Sequence, residues 1–281
     1  MRHKLMTKDS VKELDLSYLS PDVLSAAKNF ADLKYQIDLT GRRNPAEIPN
    51  DLHGRQRYGE YDGPYGGDTF LESIIPFLPS DPDYEDLGVK LVPIPHTLGR
   101  SWHWWPEDCK GDEEKIISQI TSPEYGKYAY YYLAKELGVI YAGEGKNRVN
   151  FCRHHKIDRI PVKVIQFHYP QADTIEIYYV NSHIGADVIA VLNERYLQKV
   201  SHISYALPLL NAYGVRVNTV WPTKFPSIDS IYEYGHLAKV NSKFRNCTID
   251  LDKISAIGKK PDYFKAGYKL YGRLINAFSR H

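Results

Sequence analysis

Six consecutive residues, Gly143 to Arg148, combine the residue types that a site for a phosphorylated ligand needs. They read Gly-Glu-Gly-Lys-Asn-Arg, so two glycines bracket a carboxylate and two cations follow closely. Glycine tolerates positive φ and lets another group approach the backbone. Lys146 and Arg148 could neutralise phosphate charge. Glu144 could act as a general base, as a metal ligand or as the structural partner of Arg148.

The flanking sequence predicts the elements that would position this turn. Val139 to Ala142 is a short apolar run, long enough for a buried strand, and a helix is predicted to begin near Lys146. Ile160 to Phe167 indicates a second strand, with Pro161 at its start. The turn would then lie at a helix N-terminus, where unpaired N–H groups and a partial positive charge favour an anion such as phosphate. Ordinary turn glycines and solvated cations are the competing interpretation.

The run from Ile140 to Ile165 resembles the signature segment of the ParB/sulfiredoxin superfamily. In that superfamily a strand leads into a turn of the G-E-R-R, G-C-H-R or D-G-H-x-R type, then a helix, then an I-P-V strand. The counterparts here are the turn from Ala142 to Arg148 and the strand that opens with Ile160-Pro161-Val162. The resemblance implies that nucleotide phosphates bind at the turn, at Gly143, Gly145, Lys146, Asn147 and Arg148.

Departures from the family pattern bear on the activity. With Gly145 and Arg148 aligned to the family, the position of sulfiredoxin's reactive cysteine is Lys146. Its histidine position is Asn147, so reduction of a sulfinic acid is not expected. ParB proteins have two consecutive arginines after the glutamate, where this chain has Gly145-Lys146. Relatives with this fold include kinases of small molecules such as free serine, CTP switches and reported nucleases, so the resemblance implies a fold rather than one activity.

Catalytic roles are predicted for residues of the turn and the helix that follows. Glu144 is the candidate base and the first candidate metal ligand, and Arg148 is the candidate for stabilising phosphate charge. His154 could reach a phosphate from the helix, although it and His155 point about 100° apart and do not easily share one ion. The implied ligand is a nucleoside triphosphate, ATP or CTP, with Mg²⁺ as a candidate ion. The sequence contains no Walker A, H-E-x-x-H or G-x-S-x-G motif.

A second set of cations lies on a segment predicted to be irregular, from Thr40 to Gly67. Its glycines and prolines break every periodic pattern, and tyrosines lie among its arginines. Basic and aromatic residues on a long loop suit a lid over phosphates or a nucleic-acid contact. A purely structural loop is the alternative. The candidate contacts are Arg42, Arg43, Arg55 and Arg57.

Two other aromatic segments have more than one interpretation. The tryptophans between Trp102 and Trp105 could stack on a base, bind a partner or belong to a core. The stretch from Tyr263 to Phe278 predicts a basic and aromatic terminal helix. Its candidate nucleic-acid contacts are Lys265, Lys269 and Arg273.

Composition places the chain in a broad class. Of its 281 residues, 25% are charged and 43% hydrophobic, which is typical of a water-soluble folded protein. A net charge of +2 permits nucleic-acid contact without arguing for it. The cysteines form no C-x-x-C pair, so neither a zinc ribbon nor a disulfide framework is predicted, and a cytoplasmic location fits. No apolar signal region and no run of about 18 apolar residues occurs, so no membrane association is expected.

The element pattern predicts an α/β or α+β fold, with a ParB/sulfiredoxin-like core, a mixed sheet and helical additions at both ends. We divide the chain into 1–84 (helix and long loop), 85–170 (nucleotide-binding core) and 171–281 (C-terminal α/β extension). The helices predicted outside the core turn include Pro21 to about Leu33, Ser122 to about Leu137, and Ala186 to Val200.

Three functions are open from the sequence. The first is a nucleotide-binding protein that hydrolyses a nucleoside triphosphate or transfers its phosphoryl group, as an ATP-binding phosphotransferase does. The second is a DNA-binding protein of the partition type, or a ParB-like nuclease. The third is a catalytically silent interaction protein of a mobile element or a phage-defence system. A nucleotide is the expected partner, and DNA and a second copy of the chain are further candidates.

Overall fold

The computed structural model describes residues 11–53, 64–100, 109–182, 185–235 and 248–258. Within these ranges the chain forms eight α-helices and ten β-strands. The helices are α1 (Pro21–Arg43), α2 (Gly67–Ile74), α3 (Glu113–Ile120), α4 (Pro123–Gly126), α5 (Lys146–His154), α6 (Ile203–Tyr213), α7 (Ile228–Gly235) and α8 (Leu251–Gly258). The strands are β1 (Glu85–Pro93), β2 (Thr97–Leu98), β3 (Tyr130–Ala134), β4 (Val139–Ala142), β5 (Arg159–Phe167), β6 (Ile175–Ser182), β7 (Gly185–Leu192), β8 (Tyr196–Lys199), β9 (Arg216–Asn218) and β10 (Ile249–Asp250).

Two five-stranded mixed sheets organise these strands. The first has the order β1-β5-β3-β4-β2, and the second has the order β10-β8-β7-β6-β9. In the first sheet β3 is parallel to β5 and antiparallel to β4, and β2 lies parallel to β4 at the edge. In the second sheet β6 and β9 are parallel and the other pairs are antiparallel. A mixed α/β fold is therefore confirmed, and the ParB/sulfiredoxin-like core stays a prediction.

The core is divided between the two faces of the first sheet. Because successive strand residues point to opposite faces, Tyr131 and Ile140 pack with Val149 of α5 in one buried cluster. On the opposite face, Val139 and Phe167 belong to a larger cluster that includes residues of α1, α2, α6 and the second sheet. The two sheets thus share apolar contacts across residue 170, and the predicted division into three domains stays a prediction.

Helix α1 begins where the sequence predicts. Ser20 is its N-cap, and the Ser20 Oγ accepts a hydrogen bond of 3.3 Å from the backbone N–H of Val23. Pro21 occupies the first helical position, where its missing N–H leaves no helical bond unmade. The predicted N-terminal signal is confirmed.

The predicted end of α1 near Leu33 is wrong. Buried residues continue along its inner face to Ile37 and Gly41, so the helix extends into the first residues of the segment, Thr40 to Gly67, that was predicted to be irregular. Arg42 and Arg43 consequently lie in the last helical turn, exposed to solvent, and not on a loop. Their position near a helix C-terminus is favourable, because the partial negative charge there attracts cations.

Two further predicted helices are strands. The helix predicted from Ser122 to about Leu137 ends after α4, and β3 follows as the strand between β4 and β5. The helix predicted from Ala186 to Val200 is the hairpin of β7 and β8, with left-handed Asn193 and Glu194 at its turn. Val188 to Val191 are all buried. A short run that is apolar on every side fits a buried strand as well as a helix, so periodicity could not separate them.

Some sequence predictions lie outside the described residues. These are Arg55, Arg57, the Trp102–Trp105 stretch and the predicted terminal helix from Tyr263 to Phe278. Among the helices that the structure describes, none is both long enough and apolar enough to cross a bilayer.

We expect Ser20→Ala to lower the free energy of unfolding by about 1 kcal/mol, because the N–H of Val23 loses its capping acceptor. Urea denaturation measures the change. The control is Ser25→Ala, the same substitution at an exposed position inside α1, which should be neutral or slightly stabilising. Equal effects at the two positions would contradict the capping role.

Candidate functional site

The turn between β4 and α5 requires both of its glycines. Gly145 has φ of +79°, in the left-handed region, and a Cβ there would lie 3.0 Å from the Cβ of Ala129. A Cβ at Gly143 would lie 2.5 Å from Cε2 of Tyr130 and 2.7 Å from Cε2 of Tyr132. Close packing against two aromatic rings therefore requires Gly143, and backbone conformation requires Gly145.

The amides of the turn are engaged within the protein. The N–H groups of Gly143 and Glu144 both donate to the carbonyl of Tyr130, at 3.0 and 3.2 Å. The N–H of Gly145 donates to Oε1 of Glu144 at 3.1 Å. The first turn of α5 starts at Lys146, and within it the N–H of Arg148 donates to the carbonyl of Gly145 at 2.9 Å. The glycines shape the turn, and the helix end supplies the positive field.

The two cations of the turn contact different elements. Lys146 Nζ lies 3.2 Å from Oδ2 of Asp68, in the first turn of α2. Arg148 donates from Nη1 to the carbonyl of Tyr125, in α4, at 3.5 Å. Both side chains are only partly buried. Lys146 and Arg148 thus flank the start of α5, each with an acceptor that a phosphate could replace.

Two strand ends and two helix starts meet beside Lys146. β2 and β4 are parallel, with Leu98 opposite Tyr141, so both carboxyl ends lie at one edge of the sheet. After β2 the chain contacts α5, because the N–H of Arg100 donates to the carbonyl of Lys146 at 3.2 Å. The N-terminus of α2 reaches the same place through Asp68. Ligands of open α/β sheets bind at the carboxyl ends of strands, so this edge is the candidate site.

A buried polar network lies beneath the site. Lys34 and Asp38, one turn apart on α1, form an ion pair in which the side chains are 1% and 0% exposed. Asn150 of α5, also buried, donates from Nδ2 to Oδ2 of Asp38 at 2.8 Å. Burial lowers the pKa of Lys34 and raises the pKa of Asp38, and each effect is opposed by the partner's charge. The positive charge of Arg100 lowers the pKa of both Lys34 and Asp38.

A second contact joins α1 to α5 near its C-terminal end. Arg153 donates from Nη1 to Oδ1 of Asp32 at 2.7 Å and from Nη2 to the carbonyl of Pro95 at 3.0 Å. Its guanidinium also lies over the ring of Tyr35, 5.4 Å from the ring centroid. Helix α5 is therefore held to α1 at two levels, by Asn150 and by Arg153.

The structure brings only part of the predicted set together. Glu144 is exposed, and its carboxylate bonds the amide of Gly145. His154 is exposed in the last turn of α5, roughly 12 Å along the helix axis from Lys146, so the structure does not bring it to the turn. Arg42 and Arg43 lie on α1. Among the described residues, no group of three His, Cys, Asp or Glu side chains is arranged to hold a metal ion.

Several residues of the site were not identified from the sequence. They are Lys34, Asp38, Asp68, Arg100 and Asn150. A signal existed for two of them, because Lys34 and Asp38 lie among the apolar positions of an amphipathic helix, where charged residues are rarely buried without a partner. Asp68 and Arg100 come from separate segments that only the fold brings beside the turn, and Asn150 lies on α5, where only its contact with Asp38 identifies it.

Comparison of the chain with protein-family models, with curated proteins and with solved structures finds no match. The arguments about function therefore rest on the geometry of the site.

We expect Lys34→Met to lower the free energy of unfolding by about 3–5 kcal/mol, because the carboxylate of Asp38 would remain buried without its cation. Chemical denaturation measures the change. The control is Lys28→Met, which removes the cation of a second pair on α1, Lys28 with Asp32, at 2.7 Å and 51% and 41% exposed. Because solvent screens that pair, the control should cost about 0–1 kcal/mol. A loss of similar size in both variants would contradict the buried network.

Cys152 should be unreactive in the native protein. Its side chain is fully buried, and burial raises the pKa of its thiol to about 12, so the nucleophilic thiolate is scarce at neutral pH. We expect iodoacetamide at pH 8 to leave Cys152 unmodified until urea unfolds the chain, as measured by peptide mass mapping. Alkylation in native buffer at the rate of the unfolded chain would show that the thiol is accessible.

Proposed function

We propose that this protein binds a nucleoside triphosphate with its phosphates at the N-terminus of α5 and acts on them by hydrolysis or phosphoryl transfer. One observation carries the proposal. The N-termini of α2 and α5 meet at Lys146, beside the carboxyl ends of the parallel strands β2 and β4. Helix N-termini at such an edge favour an anion, and a partly exposed lysine strengthens the preference for phosphate.

Lys146 has the role of the principal phosphate contact in this proposal. In the ligand-free protein its ammonium group lies 3.2 Å from the carboxylate of Asp68. The pair is partly exposed, so it contributes little to stability and can be exchanged for a contact with phosphate. Arg148, on the other side of the helix start, would exchange a carbonyl acceptor for a phosphate oxygen. Charged acceptors make the stronger bonds, which favours the exchange.

Glu144 precedes Lys146 by two residues, and the carboxylate of Asp68 lies 3.2 Å from Lys146 Nζ, so both carboxylates flank the proposed phosphate site. Glu144 is exposed and next to the start of α5, where it can accept a proton from an attacking hydroxyl or water. Mg²⁺ in phosphoryl-transfer sites is usually held by one or two carboxylates together with phosphate oxygens. Asp68 and Glu144 are the residues that would supply such carboxylates.

The first test is a calorimetric titration with ATP, CTP and GTP, each with and without Mg²⁺. We expect Lys146→Ala to weaken binding of the preferred nucleotide by roughly 10- to 100-fold, because one charge-assisted hydrogen bond is lost. The control is Lys224→Ala, which removes an exposed lysine paired with Glu194 at 2.7 Å and should change nothing. A wild-type protein that binds none of these nucleotides would overturn the proposal.

Asp68→Asn should act in the opposite direction. In the absence of Mg²⁺ it removes the carboxylate that competes with phosphate for Lys146, so we expect nucleotide binding without Mg²⁺ to tighten by a few-fold at low salt. The control is Asp86→Asn, on the first sheet. It removes the carboxylate of an exposed ion pair in which Oδ2 of Asp86 lies 2.8 Å from Nζ of Lys163. Weaker binding by Asp68→Asn without Mg²⁺ would show instead that this carboxylate contacts the ligand directly.

A DNA-binding role is the alternative outcome. A short DNA duplex in the same titration would then bind in place of the nucleotide, with an affinity that falls steeply as salt rises, because counterions are released. Binding of neither nucleotide nor DNA would leave an interaction protein without this ligand chemistry.

A further inference from the structure

A group of tyrosines lies on the first sheet beside the candidate site. We call Tyr84, Tyr130, Tyr132 and Tyr141 the tyrosine ledge. The ring of Tyr132 lies 5.1 Å from Tyr141, 5.8 Å from Tyr130 and 5.4 Å from Tyr84, measured between centroids. Two of these residues are exposed to solvent, Tyr84 at 53% and Tyr130 at 39%.

The ledge lies at the margin of the large buried cluster, against which Tyr132 and Tyr141 pack partly buried. On β3, Tyr131 and Leu133 point into the core, and Tyr130 and Tyr132 alternate with them on the other face. Farther along that face, Ala134 and Val139 are fully buried in the large cluster. Along this face of β3, exposure therefore falls from Tyr130 through Tyr132 to the buried Ala134.

The ledge is continuous with the proposed phosphate site. The rings of Tyr130 and Tyr132 pack directly on the backbone of Gly143, where a Cβ would clash with both. Tyr141 stacks on Tyr132 and lies near Asp68. Burial raises the pKa of Tyr141, and the negative charge of Asp68 raises it further. Asp68 is the partner of Lys146. Aromatic surface and phosphate contacts thus lie on the two sides of one turn.

We propose that the tyrosine ledge stacks the base of the nucleotide whose phosphates bind at the start of α5. This inference rests on the proposed function and adds the place of the base. Aromatic rings bind bases through their faces, and every base has a π-face, so the ledge accepts purines and pyrimidines alike. The exposed rings of Tyr84 and Tyr130 are the surfaces available for this contact.

The chemistry of the ledge suits a base better than it suits a phosphate. Burial raises the pKa of Tyr132, with further contributions from Tyr130 and Tyr84, so its hydroxyl stays neutral at physiological pH. On the neighbouring strand β5, Lys163 lies directly opposite Tyr130, and its ammonium group forms an ion pair with Asp86 at 2.8 Å. The ledge therefore offers ring faces and neutral hydroxyl groups, whereas the positive charge lies at Lys146 and Arg148.

The test compares a ligand that has a base with one that lacks it. Binding of ATP and of inorganic tripolyphosphate is measured by calorimetry for wild type, Tyr130→Leu and Tyr84→Leu. We expect the leucine variants to weaken ATP binding by roughly 5- to 100-fold, because stacking is lost, and to leave tripolyphosphate binding unchanged. Tyr130→Phe and Tyr84→Phe should retain ATP binding, because they keep the ring.

The matched control is Tyr179→Leu. Tyr179 lies on β6 in the second sheet and is 43% exposed, so it reports the effect of removing a comparable surface ring elsewhere. We expect ATP binding by this variant to equal that of wild type. Thermal unfolding of each variant, measured in parallel, separates a loss of ligand contacts from a loss of folding.

The possible results separate the two proposals. If wild type binds ATP and tripolyphosphate equally and the leucine variants change neither, the ledge does not hold the base and the phosphate site stands. If the variants weaken ATP and tripolyphosphate to the same extent, the tyrosines shape the turn and the stacking role is overturned. If wild type binds neither ligand, the phosphate site and the ledge proposal both fail. Binding of single-stranded DNA without any nucleotide would assign the ledge to a nucleic acid instead.

Discussion

The carboxylate of Asp38 is the group on which the arrangement of the site depends. It is fully buried, and it is satisfied by Lys34 on its own helix and by Asn150 on α5. A buried charge is tolerated only where such partners are present, so α1 and α5 must keep their relative position. The second contact, from Arg153 to Asp32, fixes the other end of α5. These two contacts therefore fix α5, which begins with Lys146, against α1.

Backbone and side chains make different contributions to the candidate site. The glycines at 143 and 145 are required by close packing and by a left-handed conformation, and the turn amides bond internally. What is left for a ligand is the field of the first turn of α5, Lys146 and Arg148. The same packing that requires Gly143 also brings tyrosine rings to the turn. Shape, charge and aromatic surface therefore arise from one set of contacts.

Agreement between sequence and structure is greatest where the pattern was local. The strand Val139–Ala142, the left-handed Gly145 and the helix from Lys146 follow from short-range signals, as does the N-cap at Ser20. The helix predicted from Ala186 to Val200 failed because its apolar spacing suits either element. Pairing with β6 decided the outcome, and left-handed Asn193 and Glu194 at the hairpin turn are incompatible with a helix. The length of α1 was missed because its later turns are stabilised by packing on residues distant in sequence.

By itself the sequence determined that a strand, a glycine turn and a basic helix start follow one another at residues 139–154, because φ preferences, capping and apolar spacing act within a few residues. Only the tertiary structure decided that Asp68 pairs with Lys146 and that Asp38 accepts a hydrogen bond from Asn150. It also decided that the ring of Tyr132 on β3 contacts that of Tyr84. These contacts join segments far apart in the chain. Which residues contact each other is decided by burial and by strand pairing. Both depend on the whole fold, so the local sequence pattern does not identify the partners.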